Sequence, residues 1–143
     1  MTKAVGQEQQ WETIPVRVYF EDTDAQGVVY FANYLRFMER GRTEWLRARG
    51  VAQDALMREQ NVCFSLIRTD ARFHRPARFD DELSVRTRLV SAQGARVVFE
   101  QAVYRAAVAP DSADELLCSA DCEVACLHAD SFKPRRLPPD LFT

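Results

Sequence analysis

Two aspartates, a threonine and a glycine crowd into the stretch Tyr19-Phe20-Glu21-Asp22-Thr23-Asp24-Ala25-Gln26-Gly27-Val28-Val29-Tyr30. A carboxylate can attack an electrophilic carbonyl or take a proton from water, and either course leaves negative charge growing on an oxygen. The free N–H groups of a helix N-terminus can stabilise such charge, and an amphipathic helix pattern begins just after this stretch. The same residue types are also ordinary turn and cap formers. Strand parity does not choose between Asp22 and Asp24, because the turn breaks it.

Other residues offer less. Cys118, Cys122 and Cys126 stand four apart in a strand-like run. Such spacing puts the thiols on one face but about 13 Å apart per pair, too far for one tetrahedral metal. They are read as small apolar core residues, and no metal or cofactor is expected. His74 and His128 are the only histidines, which leaves little for histidine-based mechanisms. Arg68, Arg72, His74, Arg75, Arg78, Arg86, Arg88 and Arg96 form a basic set. Solvated strand faces and a phosphate-binding pocket mouth both account for it.

The elements that must hold this junction follow from periodicity. Residues 1 to about 13 are polar and expected to be a loose tail. Val16, Val18 and Phe20 alternate with Arg17 and Tyr19 as in a half-buried strand. From Tyr30 to Arg49 the apolar residues Tyr34, Phe37, Met38, Gly41, Trp45 and Ala48 recur at helical spacing. Gly41 in that stripe weakens the helix by roughly 1 kcal/mol, which suits a close approach to a sheet. Gly50 stands where a C-cap would. A second helix is predicted from Gln53 to Gln60, then strands over Ser65–His74, Glu82–Val90, Arg96–Ala107 and Leu116–His128. The last of these places Leu116, Cys118, Ala120, Cys122, Val124, Cys126 and His128 on one face. The segment from Asp130, with Pro134, Pro138 and Pro139, is expected to be an irregular tail. One long helix against an antiparallel sheet makes an α+β fold, as a single domain over residues 1–143.

Composition sets the outer limits. The chain has 143 residues, 47% hydrophobic, with a formal net charge of −2. That is enough apolar material for one core, and it argues against a nucleic-acid binder. No run of about 18 apolar residues is present, so no membrane span is expected. No signal peptide is evident at the start, so a cytoplasmic protein with reduced thiols is expected.

The run from Val18 to Arg40, with Thr43-Glu44-Trp45-Leu46, then Arg75-Pro76-Ala77-Arg78-Phe79-Asp80-Asp81 and Lys133-Pro134-Arg135-Arg136-Leu137-Pro138, resembles the 4-hydroxybenzoyl-CoA thioesterase family of hotdog-fold proteins. Within it the chain is most similar to the Tol-Pal system-associated acyl-CoA thioesterases. The resemblance implies a long central helix wrapped by an antiparallel sheet. It implies a homodimer or dimer of dimers, with active sites at the subunit interface. It implies acyl-CoA as substrate, Asp24 as the catalytic carboxylate and the backbone N–H of Phe31 as donor to the thioester carbonyl. Gly27, Tyr30 and Asn33 are expected beside the substrate, with Arg88 and Arg96 near the CoA phosphates. One departure stands out: those relatives commonly carry histidine where this chain has Phe31, so only the backbone of that position is available. A non-catalytic scaffold engaging acyl thioesters or an acyl carrier protein is the alternative. A hotdog dehydratase is disfavoured, because the helix contains no histidine.

Overall fold

The computed structural model describes residues 11–142. Its elements are β1 (Glu12–Arg17), a 3-10 turn (Phe20–Asp22), α1 (Asn33–Ala48), α2 (Gln53–Gln60), β2 (Val62–Phe73), β3 (Glu82–Gln93), β4 (Arg96–Arg105) and β5 (Glu115–His128). The five strands form one antiparallel sheet in the order β1-β3-β4-β5-β2. With α1 laid across it, the molecule is an α+β fold.

Alternation decides which face the helix covers. Leu83, Val85, Thr87 and Leu89 of β3, Val97, Phe99, Gln101 and Val103 of β4, and Cys118, Ala120, Cys122, Val124 and Cys126 of β5 are all buried. Tyr34, Phe37, Met38, Trp45 and Leu46 of α1 are buried with them. Each large apolar side chain enclosed in this way contributes roughly 1.5–3 kcal/mol. Gly41 is the point of closest approach. A Cβ there would lie 2.6 Å from Thr87 Oγ1 and 3.0 Å from Gln101 Nε2. Gln101 is wholly buried, and it donates to Met38 O and Thr87 Oγ1 at 2.8 Å while accepting from Arg42 at 3.0 Å. The contact is therefore both packed and hydrogen-bonded.

The ends of α1 are built differently. Three successive bonds from Asn33, Tyr34 and Leu35 to the carbonyls three residues earlier make a tight entry turn. Hence the helix proper begins at Asn33 and not at Tyr30 as the periodicity suggests. Gly50, at φ 80°, closes the other end. Val51 N–H bonds to Leu46 O and Gly50 N–H to Arg47 O, the double pattern of a Schellman cap.

Three expectations about the strands shift. β1 begins at Glu12, inside the stretch expected to be tail, and ends at Arg17; residues 1–10 lie outside the described residues. Val18 remains fully buried, but Phe20 is 80% exposed because the 3-10 turn breaks the alternation. In β5 the register slips opposite Val103 and Tyr104, so Leu117 and not Leu116 turns inward. After His128 the chain forms turns and a single bridge. It is anchored by Leu137 N–H on Gly94 O (2.8 Å) and by the Phe142 ring on Trp45 (5.9 Å between centroids).

Candidate active site

The junction between β1 and α1 is a tied loop. Asp24 opens a four-residue turn: Gly27 N–H bonds to Asp24 O (3.0 Å), and Gln26 N–H bonds to the Asp24 carboxylate Oδ1 (2.9 Å). Gly27 closes the turn at φ 80°, a conformation that side chains disfavour. Asp24 N–H bonds to Val28 O (2.9 Å) and Thr23 bridges Val29, so the turn is the tip of a miniature hairpin. The hairpin is docked on the loop before β3 through Val29 N–H on Ala77 O (2.8 Å) and a bridge from Val28 to Arg78. The Tyr34 hydroxyl accepts the Ala77 N–H at 3.1 Å, and burial pushes its titration up.

The two aspartates have different surroundings. Asp22 is half-buried and fully engaged. Its Oδ2 accepts Tyr19 N–H and its Oδ1 accepts the Asn33 side-chain amide, both at 2.8 Å, while its main-chain oxygen accepts Tyr30 N–H at 3.0 Å. Asp24 is exposed, and its Oδ2 has no hydrogen-bond donor among the described residues. Beyond it, the N–H groups of Phe31 and Ala32 have no acceptor among the described residues. They are the orphan donors of a helix N-terminus, where the backbone dipoles favour negative charge.

Around these groups stands an aromatic wall. Tyr30 is 47% and Phe31 60% exposed, with ring centroids 4.7 Å apart. Phe31 also meets Phe73 edge-on at 6.3 Å, and Phe73 meets Tyr34 at 5.5 Å. Asp24 and Gly27 thus share the hairpin turn, and Tyr30 and Phe31 follow it at the helix entry. Asn33, expected beside the substrate, is instead 8% exposed, with its amide turned inward to Asp22.

Arg88 and Arg96 are not part of this cluster. Arg88 points to the face opposite α1, where Glu100 (2.6 Å) and the Trp11 ring hold it. Arg96 is paired with Glu123 (2.8 Å) at the hairpin joining β3 to β4. The Asp24 hairpin docks just before β3, at the other end of that twelve-residue strand from Arg96.

Sequence reasoning missed a cavity of about 570 Å³ between α1 and the β2 side of the sheet. Leu35, Leu46, Phe64, Leu66, Val97, Phe99, Val124 and Phe142 give it apolar walls, and Arg36, Glu39, Arg40, Arg42 and Thr43 contribute polar groups. Its lining comes from five elements and the C-terminal segment, so no local motif announces it. The cysteines do not form a reactive centre. Cys118, Cys122 and Cys126 are buried, and burial pushes the Cys118 thiol up to about 12, far from a thiolate at neutral pH. No group of histidine, cysteine or acidic side chains suited to a metal occurs among the described residues.

Residues 18–142 match the thioesterase-like superfamily. The chain belongs to that superfamily. This thioesterase is 42% identical over 127 residues to the acyl-CoA thioester hydrolase YbgC of Escherichia coli, an alignment covering 89% of this chain and 90% of that one. Its fold superposes on a probable thioesterase from Bartonella henselae with a TM-score of 0.80 and 36% identity, covering 90% of this chain and 100% of the other. A 4-hydroxybenzoyl-CoA thioesterase variant complexed with 4-hydroxybenzoyl-CoA superposes with a TM-score of 0.82. At 21% identity, over 92% of this chain and 95% of that one, this speaks to the fold alone. The fold is the hotdog fold, and the protein is a thioester hydrolase. Among the described residues no helix is long and apolar enough to cross a membrane.

Proposed function

We propose that this thioesterase hydrolyses acyl-CoA to a free acid and CoA, with Asp24 as the reacting carboxylate. What supports the proposal is an exposed carboxylate, Asp24, on the short hairpin that leads into the helix start, where the Phe31 and Ala32 N–H groups are unused among the described residues. The thioester carbonyl oxygen would accept from those donors as it becomes an oxyanion. Asp24 then acts in one of two ways. As nucleophile it forms a carbon–oxygen bond to the carbonyl, CoA leaves as thiolate, and water cleaves the resulting anhydride. As general base it takes a proton from water, the hydroxide adds, and the departing thiolate recovers the proton.

The test is Asp24→Asn against a panel of acyl-CoAs, with thiol release as the readout. Turnover should fall at least about 10³-fold while the protein stays folded. Parent-like turnover by the variant on every substrate would overturn the assignment. Tight binding without turnover by the parent itself would favour the scaffold alternative, in which the same surface receives an acyl thioester or an acyl carrier protein.

The assembly we propose is a homodimer joined along β2. Among the described residues this twelve-residue strand pairs only with β5. Its outer edge carries Leu66 and Ile67, exposed by 37% and 53%. A long edge with exposed apolar side chains invites pairing with a second strand. A partner there would also close the open side of the cavity, whose wall includes Phe64, Ser65 and Leu66.

A further inference from the structure

We propose that Asp22 and Asn33 form a positioning clamp that fixes the Asp24 carboxylate relative to the Phe31 and Ala32 N–H donors. The inference rests on the catalytic reading of Asp24 given above. The free donors occupy two consecutive residues, and both residues flanking them are tied to Asp22. Tyr30, just before, gives its N–H to Asp22 O at 3.0 Å. Asn33, just after, gives its side-chain amide to Asp22 Oδ1 at 2.8 Å. The other carboxylate oxygen, Oδ2, holds Tyr19 N–H at 2.8 Å, which fixes the 3-10 turn leading into Asp24. One side chain thus fastens the approach to the carboxylate and the first turn of the helix to a common point. Asn33 is 8% exposed, so water does not readily replace its contact.

Chemistry explains why such a clamp is needed. Hydrogen-bond donors stabilise a developing oxyanion only within a few tenths of an ångström of the right place. Ala32 supplies no side-chain cap, so the helix start has no other side-chain restraint at that position. Neither Asp22 nor Asn33 needs to touch the substrate. Their part is to keep two backbone N–H groups and one carboxylate in register.

The test exploits the near-identical shape of Asp and Asn. Asn33→Asp sets two carboxylates face to face where a 2.8 Å hydrogen bond now stands. The reversed pair, Asp22→Asn with Asn33→Asp, restores every contact: the new amide donates to the new carboxylate, and its carbonyl oxygen accepts Tyr19 N–H. With an acyl-CoA that the parent hydrolyses, Asn33→Asp should lower kcat about 10²-fold with KM changed less than about threefold. The reversed pair should return kcat to within about fivefold of the parent. The deficit of Asn33→Asp should also shrink as pH falls towards about 5, where one shared proton re-forms a bond between the two carboxyls. If Asn33→Asp does not fold, Asn33→Ala removes the tie without repulsion and should show the same loss confined to kcat. Parent-like kcat in a folded clamp variant would overturn the proposal, and so would a reversed pair as slow as the single change. Asp24→Asn run alongside separates the two readings. If it is fully active the catalytic assignment fails; if it is dead while the clamp variants are normal, only the clamp fails.

Discussion

Phe31 contributes its backbone and its ring to different tasks. The N–H survives any substitution except proline, so the oxyanion role proposed for it does not depend on the side chain. The ring, 60% exposed and in contact with Tyr30 and Phe73, widens the aromatic surface at the entry to α1. Phe31→Ala should therefore leave kcat on a short aliphatic acyl-CoA within about threefold, and raise KM for benzoyl-CoA by roughly 3- to 10-fold through lost ring contact. An equal loss of kcat on both substrates would instead assign the ring to the chemical step. At this scale the sequence was only half legible. The Asp-Thr-Asp triplet marked the place, but residue type could not tell the engaged Asp22 from the exposed Asp24. That difference arises from Tyr19, Tyr30 and Asn33, and no spacing rule anticipates where those partners sit.

At the scale of elements, α1 shows what periodicity captures and what it misses. The apolar stripe, Gly41 and the Gly50 cap were all legible, because each reflects local geometry. The start of the helix was not, since Tyr30, Phe31 and Ala32 continue the apolar pattern while their backbone forms a tight turn. β5 shows the same limit: a slip in register moves Leu117 inward in place of Leu116, and strand alternation cannot foresee it. Gly41→Ala tests how firmly the helix is seated. Helix propensity alone would make it stabilising by about 1 kcal/mol. The added methyl would stand 2.6 Å from Thr87 Oγ1, however, and Thr87 and Gln101 are both wholly buried and bonded to each other. A net loss of about 1–3 kcal/mol in urea unfolding is expected; a gain in stability would mean that the sheet yields readily.

For the whole molecule, association and pH are the accessible variables. If two copies join along β2, Ile67→Lys should convert the dimer to monomer in sedimentation velocity and reduce turnover along with it. A dimer unaffected by that change would place the interface elsewhere. High pH should also destabilise the fold. Burial raises the Cys118 thiol from 9.0 to about 12, so above pH 9 the unfolded chain releases its proton while the folded chain keeps it. The stability linked to Cys118 is complete below pH 9 and is lost as pH rises towards 12, at up to about 1.4 kcal/mol per pH unit. Tyr34, raised by burial as well, adds to the upper part of the same decline. The urea midpoint should fall across this window, and Cys118→Ala should flatten the fall. The cavity belongs to this scale and was illegible in the sequence. Its walls run from Leu35 to Phe142, and only the folded sheet brings them together.

The strand order has a consequence for how the chain is made. Among the described residues β1 pairs only with β3 and β2 only with β5, so these two strands have no partner in each other. As the chain leaves the ribosome, β1, α1, α2 and β2 emerge before any sheet can form. Throughout that interval the stripe from Tyr34 to Trp45 has nothing to pack against. Closure waits for β5, some fifty residues behind β2. Long-range pairing of this kind folds slowly and leaves apolar surface open to capture in the meantime. The order of synthesis therefore leaves the apolar stripe of α1 uncovered until the later strands arrive.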